Sequence, residues 1–539
     1  MNMSRSTDRL KRSRIGIAAL IVSGGILISR LLGVVREAIF AAFLGADSIT
    51  DQYVAAFRIP DYANYLLAGG FLTITFIPIF SKYLADEDEE GGWRAFSSIV
   101  RWLAIGITAL IIAAWFAAPR IIEAIYPEFT PDQISTTVRL TRIVMTAQFA
   151  FVVGAMFAAV QYAEGVFTIP TLAPIIYNVG IIAGGVIYAW VTGTADPEGF
   201  IWGAVAGAFI GNLAVQWWGA RRIGMHFNFA DGWFSGAVKQ YVLMAIPLMI
   251  GQSIVALDES FMSIFGDLVG DGTQTHLLYA RRTMLVPVGI IAQAAAVAAY
   301  PFLSRLFAEG KIRAMQSTVD RAMRWVLVLS IGATGLLAAL ALPVIRSLYE
   351  RYAFDVADSS ATAAALFFYA FSIPIWGALQ ILTRAFYARR SMWTPVIVGT
   401  ATTAVAIPLY LLLADEFGIR GVAVASVLSL LAYTGALALL WYRGADGHAR
   451  LRQVLGTAGR AIPPTVLGAA AAFLIAWAVM TNLPGQTTIV SVAAVLLGTA
   501  VFAGIAFSLG SFLYDILTAA ARRRPPSPPE NKDVMELIG

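Results

Sequence analysis

Apolar runs of roughly twenty residues or more, parted by short polar breaks, recur from about residue 15 to residue 519. A bilayer core takes about 20 apolar residues per spanning helix, and a helix satisfies its own backbone inside it. Marked by these breaks, the pattern predicts fourteen spans, at 15–45, 50–83, 95–118, 135–163, 168–192, 199–221, 238–268, 274–307, 319–347, 359–388, 393–414, 419–442, 459–481 and 487–519. The basic stretch RSTDRLKRSR before the first run resembles the start of a signal peptide. That run is too long, and no small-residue cleavage site follows it, so it reads as a retained span.

Loop charge orients the spans, because Lys and Arg accumulate on the cytoplasmic side of short loops. With the N-terminus inside, GADSITD, TGTADPEG, GDLVGDGTQTH and TNLPGQT are external, and none holds Lys or Arg. ARRIGMH, SRLFAEGKIR, YARRSM, RGADGHARLR and the tail ARRRPPSPPENK fall inside. External Arg120, Arg346 and Arg351 depart from the rule locally. An error of one span would destroy the alternation, so it supports fourteen spans with both termini cytoplasmic.

The breaks also repeat. FIPIFSKYLA matches AYPFLSRLFA, APRIIEAIYP matches LPVIRSLYER, and YAEGVFTIP matches YARRSMWTP, each pair offset by about 223 to 225 residues. An even number of spans separates the copies, so both have the same orientation, as in transporters built from parallel repeats. The expected organisation is a basic N-terminus (1–14), an N-lobe of spans 1 to 6 (15–225), a C-lobe of spans 7 to 12 (235–445), spans 13 and 14 outside the repeat (455–520), and a disordered tail (521–539). The fold class is therefore an all-α polytopic membrane protein with two six-helix lobes.

Composition agrees, with 58% apolar and 13% charged residues and a mean hydropathy of +0.73, far from soluble norms. There is no Cys, which removes disulfides and thiolate chemistry. The three histidines are scattered (His226, His276, His448), so no metal site or cofactor is expected. A net charge of +5 gives no reason to expect nucleic acid, because topology already explains the basic loops.

Charges inside spans carry the functional information, since each costs about 2.5 to 3.5 kcal/mol at a helix centre on insertion scales. Span 1 holds Arg30, Arg36 and Glu37; span 2 holds Asp51, Arg58, Pro60, Asp61 and Asn64; spans 7 and 8 hold Asp258, Glu259, Arg281, Arg282 and Pro287. The repeat gives spans 1 and 2 equivalent places to spans 7 and 8, so these charges are expected to meet in one cationic cavity. Arg30 and Glu37 share a helix face, with Arg36 turned away, and Gly33 is expected to allow close helix approach. Arginine forks bind phosphate bidentately and stay charged when desolvated, so the inferred ligand is a phosphate or pyrophosphate. Arg58 and Arg281 read equally as ligands or as structural ion pairs near an interface. Asp258 and Glu259 either couple transport to a cation or hold Arg281 and Arg282. Pro60 and Pro287 either kink their helices locally or act as hinges. Trp217, Trp218 and Tyr442, near span ends, read as interface anchors.

SRLLGVVREA, with LGA at Leu44, Asp51, RIP at Arg58 to Pro60 and FIPIFS at Phe76 to Ser81, resembles the opening of the MurJ (MviN) family of lipid II flippases, in the superfamily of MATE and polysaccharide exporters. YARRTMLVP and FYARRSMWTP are similar to later motifs of that family. The resemblance implies translocation of a lipid-linked peptidoglycan precursor across the bacterial plasma membrane, without enzymatic chemistry, for cell wall synthesis. It implies substrate-binding roles for Arg30, Arg36 and Arg282, with Arg58 and Arg281 as further candidates. Glu37, Asp51, Asp61, Asp258 and Glu259 would then pair charges or gate, and spans 13 and 14 would hold the lipid tail. It also raises cell wall synthases as partners of a protein working as a monomer. Asn64, Gly69 and Arg281 stand where the family carries an arginine, a glutamate and an acidic residue, which bears on the head group.

The runner-up is a flippase for another polyprenyl-linked oligosaccharide. A drug or cation exporter calls for an anionic cavity, against the arginines. A membrane-embedded glycosyltransferase calls for a catalytic carboxylate in a large external loop, and the external loops here are short.

Overall fold

Three predicted spans break where the first piece ends four residues before a proline, and span 4 breaks at Thr146 without one. The computed structural model describes residues 24–25, 28–67, 71–228, 236–389, 391–444, 446–483 and 487–508; the expected N-terminal stretch 1–14, the tail 521–539 and Gly69 lie outside them. Helices account for nearly all of it, beginning with α1 (28–44), α2 (Ser48–Ala56), α3 (Arg58–Leu67), α4 (Phe71–Ala85), α5 (Glu89–Ile125), α6 (Pro131–Met145) and α7 (Ala147–Ala163). There follow α8 (Ala173–Thr192), α9 (Pro197–Gly207), a π-helical stretch, α10 (Val215–Arg222), α11 (Gly236–Asp267), α12 (Thr273–Val288), a second π-helical stretch (Gly289–Gln293), and α13 (Ala294–Ala308). The remainder is α14 (Ile312–Ala339), α15 (Ala341–Tyr349), α16 (Val356–Ala370), α17 (Ile373–Ala388), α18 (Trp393–Trp441), α19 (Gly447–Arg460), α20 (Ile462–Asn482) and α21 (Thr487–Ser508).

The breaks before prolines have a simple cause. Proline lacks the N–H that would bond to the carbonyl four residues earlier, and its ring clashes there. Accordingly α2 ends at Ala56 before Pro60, α14 at Ala339 before Pro343, and α16 at Ala370 before Pro374. Pro287 lies inside α12 and is followed at once by the π-helical turn, the usual accommodation of a disturbed ladder. Predicted spans 11 and 12 both fall in α18, which is two helices that meet at a kink at Gly418 (φ +56°). A Cβ on Gly421 would lie 1.7 Å from the Leu413 carbonyl oxygen, so the chain doubles back closely there.

Among the described residues, eight helices are long and apolar enough to cross a membrane, or nine if α16 and α17 form one broken span. The protein is an all-helical, multi-pass membrane protein.

The chain divides into two compact units. The first comprises Met1–Thr283, Ile345–Tyr369 and Trp393–Tyr433. One apolar cluster packs Phe76 and Phe80 of α4 against Trp93 and Phe96 of α5 and Phe157 of α7. A close seam joins α8 to α9, where a Cβ on Gly203 would stand 2.3 Å from the Gly180 carbonyl oxygen. Gly33 holds no such place, with nothing among the described residues within 4 Å of its Cβ position, so the expected close approach at Gly33 is not made among them.

The second unit comprises Met284–Val344, Ala370–Met392 and Thr434–Gly539. Leu340, Ala472, Ala476, Ala494 and Phe502 form an apolar cluster in it. The Asp320 carboxylate accepts from Arg450 Nε (2.7 Å) and Nη2 (2.9 Å) and from the Tyr442 hydroxyl (2.9 Å), tying α19 to α14. Tyr442 is thus a buried bonding residue and not the interface anchor its position suggested. Trp217 and Trp218 are exposed, with the guanidiniums of Arg221 and Arg222 over their rings.

Gly203→Leu is expected to prevent the α8 and α9 backbones from meeting and to cost on the order of 3 kcal/mol. A lower melting temperature and aggregation in detergent gel filtration are the expected readouts, and a wild-type profile would contradict the seam.

Candidate functional site

Arg36 and Glu37 are consecutive on α1, so their side chains leave the helix about 100° apart. They meet because both are long. Arg36 Nη2 donates to Glu37 Oε1 at 2.5 Å, and Arg282 Nη1, from α12, donates to the same oxygen. Glu37 is buried, and a carboxylate out of water costs several kcal/mol unless charge and hydrogen bonds replace the lost hydration. Two guanidiniums do so here.

The cluster has a fourth member that the charge pattern gave no reason to single out. Asn178 of α8 accepts from Arg36 Nη1 at 2.9 Å, while its own Nδ2 donates to the Pro174 carbonyl at 2.8 Å. With its amide nitrogen committed to Pro174, the Asn178 oxygen faces Arg36, and both terminal nitrogens of Arg36 are fixed. A neutral residue in an apolar run carries little signal; only its being an amide in a span, needing partners, marked it.

Two arginines and one carboxylate leave a net charge of +1. The Arg282 side chain is 42% exposed against 16% for Arg36 and 10% for Glu37, so Arg282 presents that charge. Arg30 is exposed. Arg58 and Arg281 are both buried. Asp61 and Pro60 lie together on α3, and Pro287 lies five residues beyond Arg282 on α12. The side chains of Asp258 and Glu259 lie outside the described residues. Among the described residues, no group of His, Asp or Glu is arranged to hold a metal ion.

At the N-terminal end of α12, Asp51 makes a different contact. Its carboxylate accepts from the backbone N–H of Gly272 (2.7 Å) and Thr275 (2.9 Å) and from the Thr275 hydroxyl (2.6 Å). It caps a helix from another part of the chain, meeting N–H groups that lack helical partners. Thr275 lies 224 residues after Asp51, within the offset of the sequence repeat. Around this point the Ala353 N–H donates to the Ala42 carbonyl (3.1 Å), and the Tyr126 and Ser263 hydroxyls bond at 2.8 Å. Gly272 has φ +78°, and a Cβ on it would lie 2.4 Å from the Ala46 carbonyl oxygen. These contacts all lie within the first unit and join residues 42–126 to residues 263–353.

Asp51→Ala is expected to remove three hydrogen bonds and leave buried N–H groups unpaired, costing on the order of 3 kcal/mol. Thermal unfolding in detergent should show a melting temperature several degrees lower; an unchanged one would mean that the cap contributes nothing.

A family model described as Lipid II flippase MurJ matches residues 40–510, beginning just after Arg36 and Glu37. The probable lipid II flippase MurJ of Rhizobium tropici is 27% identical, over 94% of this chain and 96% of its own. The lipid II flippase MurJ of Burkholderia cenocepacia is 24% identical, over 71% and 75%. Among solved structures, one titled Lipid II flippase MurJ, inward closed conformation, aligns with a TM-score of 0.72 at 20% identity, covering 92% of this chain and all of its own. An inward-facing MATE-family multidrug transporter of the MOP superfamily aligns at 0.64 and 14% identity, over 82% and 99%. At such identities these structures show the shared fold. Matched over residues 40–510, the chain belongs to the MurJ family.

Proposed function

We propose that this protein is a lipid II flippase of the bacterial inner membrane, moving the lipid-linked peptidoglycan precursor from the inner to the outer leaflet by alternating access, without enzymatic chemistry. The observation that carries the reading is the Arg36, Glu37 and Arg282 cluster: a fixed, net cationic group drawn from both halves of the chain. Arg282 offers the accessible guanidinium for a pyrophosphate oxygen, and Arg36, steadied by Asn178, sets the position of Glu37. Arg30 adds an exposed cation nearer the start of α1.

In this reading fourteen spans place both termini in the cytoplasm, residues 15–225 and 235–445 form two lobes, and residues 455–520 take the lipid tail. The Asp51 cap then lies at the external end and holds it shut. Opening it costs several hydrogen bonds, so substrate binding must favour the open arrangement by a comparable amount. Each elementary charge moved through 100 mV is worth about 2.3 kcal/mol, which gives the membrane potential a means of resetting a cationic site. Pro60 and Pro287 serve as bending points.

Purified protein in vesicles carrying lipid II, with outer-leaflet substrate read by an impermeant label, tests the proposal. Arg36→Ala, Arg282→Ala and Arg30→Ala are expected to lower translocation by a hundredfold or more while the protein remains inserted. Normal rates in all three would remove the cluster from the mechanism. Rescue of a different glycan pathway, with no rescue of flippase-depleted cells, would exclude lipid II as substrate.

Asn178 separates position from charge. Asn178→Leu removes the acceptor for Arg36 and the donor to the Pro174 carbonyl and is expected to slow translocation roughly tenfold. Asn178→Asp keeps an acceptor for Arg36 but brings the cluster to zero net charge, so it should raise the substrate concentration needed for half-maximal rate more than Asn178→Leu does. Equal behaviour of the two would argue against an electrostatic role.

A further inference from the structure

A second basic site lies in the first unit, away from the cluster. α5 and α6 part to leave a cleft of about 570 Å³ lined by Trp115, Pro119, Ile134, Val138, Arg139 and Arg142, among others. The outer face of α5 beside it exposes Ile112, Trp115 and Phe116, a surface suited to lipid. Arginine on such a surface needs an anion, since guanidinium keeps its charge.

The cleft is built around Pro119. Having no N–H, Pro119 cannot bond to the Trp115 carbonyl four residues back. Arg142 Nε takes that acceptor instead, at 3.1 Å, and its guanidinium lies over the Trp115 ring, 5.3 Å from the centroid. The Nε edge is thus committed to the protein, whereas the two terminal nitrogens have no protein acceptor among the described residues. Arg139, one turn earlier, differs: its charge is matched by Glu198 at 3.0 Å. The cleft therefore presents one oriented, uncompensated cation among apolar walls.

We propose that this cleft binds an anionic phospholipid, with its phosphate on the terminal nitrogens of Arg142 and the start of its acyl chains along Ile134 and Val138. An arginine anchored through Nε offers two parallel N–H groups to one phosphate, and the Trp115 ring beneath it is the usual companion of a headgroup. The volume accommodates a phosphoglycerol headgroup and the first carbons of its chains. On the orientation given above, the lipid comes from the external leaflet. The site does not depend on the substrate assignment.

The full chain in neutral detergent provides the test, with bound lipid counted by native mass spectrometry and stability followed by melting temperature. Phosphatidylglycerol is expected to be retained and to raise the melting temperature by several degrees; phosphatidylcholine, diacylglycerol and inorganic phosphate are not. Arg142→Gln should weaken phosphatidylglycerol retention at least tenfold. Ser135→Trp, an exposed position lining the cleft, should do the same by filling it while leaving the Trp115 contact in place. Equal retention by wild type and both variants overturns the proposal, as does equal stabilisation by phosphatidylcholine or diacylglycerol. Stabilisation by inorganic phosphate alone would show a free-anion site and overturn the lipid assignment.

Discussion

The structure of the cluster depends on one buried carboxylate. Glu37 accepts guanidinium donors from Arg36 beside it and from Arg282, 245 residues away in sequence. Removing either arginine would leave the carboxylate short of a partner in a place where water does not replace it, and breaking a buried pair from one side costs about 3 to 5 kcal/mol. Glu37 in turn keeps two like charges close together without cancelling both. A stable arrangement thus retains one positive charge, and the most exposed side chain of the three is the one that carries it outward.

Much of this was legible in the sequence, for reasons that differ by residue. A charged side chain in an apolar helix is conspicuous because it is costly, so Arg36, Glu37 and Arg282 stood out. Which face each would use did not, since Arg36 and Glu37 diverge on the helix and meet only through side-chain length. Asn178 and Thr275 were invisible: a neutral amide or hydroxyl costs little in a helical run, and its importance comes from a partner far away in sequence. Gly33 and Tyr442 misled in the opposite way. Gly33 permits close approach without requiring it, and the position of Tyr442 at a span end says nothing about whether Asp320 lies within reach.

The helix boundaries show the same division. Spans 2, 9 and 10 each appear continuous in hydropathy, which averages over their prolines, yet the backbone ends a helix wherever the missing N–H falls after Ala56, Ala339 and Ala370. The same deficit at Pro119 leaves the helix whole and yields a spare carbonyl instead. At Pro119 the orphaned acceptor finds a side-chain donor in place of the missing N–H. Near Trp115 it is an arginine.

The bond between Asp51 and Thr275 joins positions 224 residues apart, the offset of the sequence repeat. In a symmetric pair of identical halves, such a position faces its own copy across the two-fold axis, and aspartate would meet aspartate. Acid against acid repels. Carrying both copies on one chain removes that constraint, because each can change separately, and here one holds the acceptor and the other the donor. A carboxylate-to-hydroxyl bond between such positions is therefore available to a fused protein but not to a dimer of identical halves.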